Sequence, residues 1–289
     1  MKRIVILGCE NSHADSFIRF IQTNEEYKDV EILGVYSDER AAAEKLCETF
    51  GVPVMESYTD AVGTVDGVII TARHGDNHYK YAAPYIASGV PMFIDKPVTI
   101  GEDEAIEFMR ALKENGIRIS GGSSLKHADE VMRLRAEREN ETGGKTISGF
   151  AQAPLSIYPE YGGFYFYAQH LVEMICEVFG RFPVAVTAKQ NGKQIHVLFH
   201  YENYDCVGLY SSECWHYHVS RVAVDTLTSC PIPDLANCFR REFDEYYKLL
   251  CGDAQRLSYE EFASPVFIMN AIDRSLQSGK TEEVRKFKI

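Results

Sequence analysis

Short apolar runs alternate with longer amphipathic stretches through the first 120 residues. In those stretches apolar side chains return every three or four positions, the mark of helices between buried strands. Residues 3–8 are β-branched and aliphatic up to Gly8, and the polar turn Cys9-Glu10-Asn11-Ser12-His13 follows. Phe17, Ile18, Phe20 and Ile21 then share a helix face. Further strands are expected at 30–36, 66–71, 92–94 and 117–120, with helices at 41–50, 78–87 and 102–115. Gly51, Gly89 and Gly116 stand where helices stop, Gly51 as a left-handed cap. Near-continuous apolar strands joined by helices predict an α/β fold with a doubly wound parallel sheet of the Rossmann type over residues 1–121.

After Gly121-Gly122 the pattern changes. A helix is expected over 127–139, then strands at 146–151, 184–189, 194–201, 206–212 and 219–225 with alternating polar and apolar positions. A helix over 169–179 separates the first two of these strands, and two more, 237–251 and 259–278, close the chain. This predicts a second, α+β domain over 122–289 with a mainly antiparallel open sheet. Its exposed apolar face needs a cover, which predicts a homodimer or homotetramer through that sheet.

Composition narrows the classes. At 289 residues with 45% hydrophobic and 25% charged positions, the chain reads as globular. A net charge of −12 argues against nucleic-acid and anionic-membrane partners. No apolar run nears bilayer length, and the apolar start is too short for a secretory signal. Eight scattered cysteines without a C-x-x-C pair predict free thiols in a cytoplasmic protein. Cys214, His216 and His218 would share a strand face as soft ligands, but a row of i, i+2, i+4 residues without a fourth ligand predicts no metal.

The stretch Met92-Phe93-Ile94-Asp95-Lys96-Pro97 carries the strongest chemical signal. Pro97 ends the strand and leaves Asp95 and Lys96 at its carboxyl end, where open α/β sheets bind ligands. The polar run Arg73-His74-Gly75-Asp76-Asn77-His78 follows the third strand and is expected to line the same cleft; the plainer alternative is a solvated loop with Asn77 as a helix cap.

In order and spacing these features resemble the Gfo/Idh/MocA oxidoreductases, which include glucose-fructose oxidoreductase and inositol dehydrogenase. Asp95-Lys96-Pro97 stands for the family's Glu-Lys-Pro, Thr71-Ala72 and His78 for its strand-end residues and helix-opening histidine. The pattern from Ala271 to Gly279 is similar to its carboxy-terminal Ser-x-x-x-Gly helix. The resemblance implies NAD or NADP as cofactor, held by Gly8, Glu10, Asn11, Ser12, His13, Ser37, Asp38, Arg40, Thr71, Ala72, Arg73, His78, Asp95, Lys96 and Pro97. It implies Lys96 and His170 as catalytic residues, with Lys96, Tyr165, Tyr167, His170 and Glu173 against a sugar, sugar acid or cyclitol.

The chain departs from that pattern at identifiable places. The Gly-x-Gly-x-x-Gly positions are Gly8, Glu10 and His13, so a carboxylate stands where the backbone normally approaches the pyrophosphate. Ser37 with Arg40 suits a 2′-phosphate and Asp38 a free ribose, leaving NAD and NADP both open. Phe166 replaces an aspartate of the pattern Asp-x-x-x-His, for which Tyr165 or Tyr167 is the available substitute. The aromatics Tyr158, Tyr161, Phe164, Tyr165, Phe166 and Tyr167 read as core or interface filling more than as a sugar platform. Two alternatives therefore accompany the oxidoreductase reading. One is a binding or regulatory protein that kept the fold without redox chemistry; the other is an enzyme using tightly held NAD for a net non-redox reaction.

Overall fold

A computed structural model describes residues 1–289. The chain folds into two compact units. Unit 1 comprises Met1–Gly122, Phe239–Glu260 and Ile289; unit 2 comprises Ser123–Cys238 and Glu261–Lys288.

Unit 1 is built on strands β1 (Lys2–Leu7), β2 (Val30–Tyr36), β3 (Gly67–Ile70), β4 (Met92–Asp95) and β5 (Ile119–Gly122). They form one sheet in the order β2-β1-β3-β4-β5, and every pairing is parallel. Helices α1 (Ser12–Thr23), α2 (Arg40–Phe50), α3 (Asp76–Ile86) and α4 (Glu102–Glu114) make the crossovers. Strands β3, β4 and β5 are buried at every position, as expected of a sheet covered on both faces. Gly51 caps α2 in the left-handed conformation, φ 72°. Helix α3 starts at Asp76 with Gly75 as its cap residue, so Asn77 lies inside the helix and does not cap it.

Residues 122–289 are expected from sequence to form the second domain throughout, whereas Phe239–Glu260 packs in unit 1. Phe243 and Tyr246 from this segment meet Phe17 and Phe93 edge-on or tilted within the core of unit 1. A helix that returns to its packing partner after more than 100 residues leaves no local trace in the sequence.

Unit 2 carries α5 (Asp129–Glu139), β6 (Thr146–Pro154), α6 (Tyr165–Phe179), β7 (Ala185–Asn191), β8 (Gln194–His200), β9 (Asp205–Ser211), β10 (Tyr217–Ala223) and β11 (Leu227–Ile232). Helices α7 (Ala236–Leu250) and α8 (Tyr259–Ser278) and the short β12 (Glu282–Glu283) complete the chain. The sheet order is β11-β10-β6-β9-β8-β7-β12. All its pairings are antiparallel except β6 with β9. Strand β11 falls outside the expected elements because Pro231 argues against a strand; it is tolerated here because β11 is an edge. Helix α6 begins four residues before the expected start at 169, where the bulky Tyr165-Phe166-Tyr167 hides the helical period. Cys214 and His216 precede β10, so the three soft side chains share no strand face. Cys214 Sγ accepts from Gln152, and no three His, Cys, Asp or Glu side chains converge as a metal site. All eight cysteines are free. No helix is long and apolar enough to cross a membrane.

The β4–β5 pairing depends on Gly121, whose φ is +119°. A Cβ there would lie 2.0 Å from the Ile94 carbonyl oxygen, a backbone atom of the neighbouring strand. Gly121→Ala is expected to destabilise the protein by about 2–4 kcal/mol through strain and forced strand separation, read as a lowered chemical-denaturation midpoint. An unchanged midpoint would show that β4 and β5 part without cost.

Candidate active site

The strand order places a topological switch point in unit 1. Chain connections leave β1 towards β2 on one side and reach β3 on the other, so the loops after β1 and β3 diverge and open a crevice at the strand ends. The β1–α1 turn is pinned there. Gly8 has φ +75°, and a Cβ on it would sit 2.5 Å from Ala72. Thr71 Oγ1 donates to the Gly8 carbonyl at 2.9 Å. Asn11 caps α1 by accepting from the His13 amide at 2.8 Å, while its own amide group donates to Thr71 O (2.6 Å) and Asp95 Oδ2 (2.8 Å). The first amides of a helix have no intrahelical partner and favour an anion; exposed Ser12 marks that end of α1.

Glu10 bridges the neighbouring strand ends. Its Oε2 accepts from the Ser37 hydroxyl after β2 at 2.7 Å, and its Oε1 accepts from the Arg73 amide after β3 at 3.0 Å. Ser37 Oγ accepts in turn from the Glu39 amide. Asp38 is engaged by the Tyr36 hydroxyl (2.8 Å) and by Lys80 (2.9 Å). Arg40 is held by both oxygens of Glu56, at 2.7 and 2.9 Å, and by Glu44 at 3.0 Å.

Beside this turn, His13 lies fully inside the protein between two carboxylates. Its Nδ1 is 3.1 Å from Asp95 and its Nε2 is 3.1 Å from Glu242 of α7. Burial alone would push the imidazole pKa down, but the two carboxylates outweigh it and hold the pKa up at about 10. Burial likewise opposes ionisation of Asp95, and His13, with Lys96 next along, overcomes it and holds the carboxyl well below its usual range. Asp95 also accepts from the Lys96 amide at 2.6 Å. The Lys96 side chain is 6% exposed, and burial pushes its ammonium pKa down against the opposing pull of Asp95 and Glu242. A buried lysine with a lowered pKa can give and take a proton, which a solvated one cannot do readily near neutrality. The Lys96–Pro97 peptide bond is cis.

Several expected ligand contacts turn out to be supports. The side chains of His13, Thr71, Ala72, His78 and Asp95 are buried. His78 has Ala72 O at 2.9 Å from Nε2 and Val98 O at 3.2 Å from Nδ1. Burial lowers its pKa, and the neutral ring's single proton belongs on the nearer contact to Ala72. His78 thus donates to the Ala72 carbonyl just after β3 and packs its other edge against the turn after Lys96. Among the predicted cofactor residues, Glu10, Asn11, Ser12, Asp38, Arg40 and Arg73 retain solvent exposure.

In unit 2, His170 sits on α6, 9% exposed. Its Nδ1 is 2.7 Å from Ser123 Oγ, which also accepts from the Leu125 amide. A hydroxyl can donate to or accept from Nδ1, so Ser123 supports either tautomer and orients the ring. Tyr167 and Tyr217 meet the imidazole edge-on at 5.5 and 6.2 Å, and Trp215 meets Tyr167 at 5.9 Å. Tyr165 instead directs its hydroxyl to Asn270 and Asp273 of α8. Glu173 is also turned inward: its carboxylate takes hydrogen bonds from Gln169 (3.2 Å) and Arg181 (3.0 Å), and Arg181 also pairs with Glu177. A carboxylate this deeply buried needs such partners, so Glu173 is spent on structure. Phe166 packs with Tyr158, Tyr161 and Tyr167, a cluster of rings where an acid was expected.

Ser123 and Glu242 are functional candidates absent from the sequence expectations. Ser123 had a signal, since it directly follows Gly121-Gly122 at the domain boundary. Glu242 had none, being one acid on an ordinary amphipathic helix.

Residues 2–123 match the model of the oxidoreductase family with an NAD-binding Rossmann fold, GFO_IDH_MocA. That match lies in the amino-terminal part of the chain, which is similar to the NAD-binding domain of the Gfo/Idh/MocA oxidoreductases. Among solved structures it is similar to scyllo-inositol dehydrogenase from Lactobacillus casei with bound NAD(H) and scyllo-inositol, at TM-score 0.86 and 13% identity over 98% of this chain and 99% of that one. It is similar to a myo-inositol dehydrogenase from Corynebacterium glutamicum, at TM-score 0.81 and 16% identity over 99% of this chain and 100% of that one. It is also similar to GenD2 of gentamicin A biosynthesis in complex with NAD, at TM-score 0.84 and 16% identity over 99% and 97%. No curated protein matches it. At these identities the structures show a shared fold over the whole length.

The residues of this amino-terminal domain fit a dinucleotide at three places: the tight turn at Gly8, the amino end of α1, and the β2 end beside Ser37. The second-glycine position departs from the fingerprint, because Glu10 has a side chain there. Ser37 and the Arg73 amide hold that side chain at the ends of β2 and β3.

His13→Leu removes the imidazolium from between Asp95 and Glu242 and is expected to destabilise the protein by about 3–5 kcal/mol at pH 6. A pKa raised to about 10 gives a contribution fully present below the ordinary 6.5 and lost as pH rises through 10. The stability gap between wild type and variant should therefore narrow from pH 6.5 to 10, measured by denaturant titration. A gap flat across that range would mean that His13 is neutral in the folded protein.

Proposed function

We propose that this protein is a nicotinamide-dependent oxidoreductase acting on a small polyhydroxylated molecule: a sugar, sugar acid or cyclitol. The observation that carries this reading is the buried Lys96, set with Asp95 at the carboxyl end of β4 in a domain of an NAD-binding family. The substrate class is supported by the inositol dehydrogenases among the similar folds. The nicotinamide, when bound, supplies or accepts the hydride.

The chain's own residues handle orientation and the proton. Lys96 Nζ hydrogen-bonds the reacting oxygen of the substrate and stabilises negative charge growing on it, and its lowered pKa lets it share a proton with that oxygen. Asp95 keeps the turn fixed through the Lys96 amide and balances the ammonium. His170 serves as the general acid or base, with Ser123 orienting its ring. Tyr167, against the His170 ring, is the phenol available to the substrate in place of the acid absent at Phe166. Unit 2 also exposes a sheet face bearing the partly exposed Phe150, Leu198, Val207, Leu209 and Val222, which we assign to a second copy of the chain.

A cofactor-free binding protein is the second reading, favoured by the ring cluster around Phe166. Steady-state kinetics on a polyol panel separate the two. Lys96→Met and His170→Asn are each expected to lower kcat at least about 100-fold while leaving dinucleotide affinity within a few-fold of wild type. Turnover retained by both variants, or no turnover by the wild type on any polyol, would remove the oxidoreductase reading.

A further inference from the structure

We propose that Glu10, in the β1–α1 turn, selects NAD over NADP. It would do from the glycine loop what a carboxylate at the end of the second strand does in the usual arrangement. This rests on the dinucleotide binding proposed above. The Glu10 carboxylate reaches the end of β2 and is fixed there by two donors, the Ser37 hydroxyl and the Arg73 amide. Ser37 gives its proton to Glu10, so its hydroxyl is not a free donor for a phosphate. Arg40, the cation that would receive a 2′-phosphate, is bound by Glu56 through both of its oxygens and by Glu44. Lys80, the other nearby cation, is paired with Asp38.

The β2 end thus combines a fixed carboxylate with neutralised cations. Ribose hydroxyls donate hydrogen bonds to a carboxylate, whereas a 2′-phosphate brings like charge against Glu10 where Arg40 and Lys80 are already paired with carboxylates. The sequence left NAD and NADP open because it showed Ser37, Asp38 and Arg40 without their partners, and it placed Glu10 in a different loop.

The test is calorimetric titration of the full-length protein with NADH and with NADPH, for wild type, Glu10→Gln and Glu10→Gly. Thermal unfolding of each variant verifies that it folds. Wild type is expected to bind NADH about 100-fold more tightly than NADPH, and both variants to shrink that ratio at least about 10-fold, chiefly by gaining NADPH affinity. Glu10→Gly keeps the test decisive if glutamine disturbs the turn, since glycine restores the fingerprint residue. Equal tightening of both dinucleotides would show that Glu10 repels the shared pyrophosphate and would overturn the proposal. An unchanged ratio with firm NADH binding would overturn it and leave the oxidoreductase reading standing. Binding of neither dinucleotide by the folded wild type would overturn both.

Discussion

A protonated imidazole between two buried carboxylates holds the strand ends of unit 1 together. His13 is contributed by α1, Asp95 by β4 and Glu242 by α7, three segments far apart in sequence. Each charge would be costly to bury alone. Together they offset one another's charge, and the raised pKa of His13 and the depressed pKa of Asp95 express the same mutual stabilisation. The cluster fixes where β4 ends relative to the turn after β1. Asn11 reinforces it by donating to both Asp95 and Thr71.

Much of the site follows from that cluster. With Asp95 locked by His13 and Asn11, its remaining contact with the Lys96 amide sets the turn that carries Lys96. Burial lowers the pKa of Lys96, and Asp95 and Glu242 oppose that shift. The position that the glycine fingerprint gives to its last glycine is occupied here by the histidine of the cluster. What reads in the sequence as a lost glycine is a change of device. The close packing of a glycine is exchanged for an ion pair between the helix and the strand beside it.

The sheet of unit 1 and the Asp-Lys-Pro turn were legible in the sequence, because buried parallel strands are long apolar runs and Pro97 punctuates one of them. The antiparallel character of the second sheet was legible from alternation, but β11 was not, since Pro231 contradicts a strand unless the strand is known to be an edge. Placing His13 and Glu173 against ligands was reasonable from spacing alone. Both are instead interior charges, and burial with partners is a tertiary fact that spacing does not encode. Tyr165 and Tyr167 were equivalent candidates in sequence; two positions on a helix point to different sides, and only Tyr167 meets His170. Glu242 was illegible because its partners lie more than 140 residues away.

The loops at the β1, β3 and β4 ends of unit 1 are proposed as a dinucleotide site organised by this ion cluster. Hydrogen–deuterium exchange of the wild-type protein, with and without saturating NAD, tests that claim most directly. Protection confined to peptides covering residues 8–14, 71–78 and 92–99 is the predicted result. Unchanged exchange in those peptides, or protection only in other parts of the chain, would contradict it.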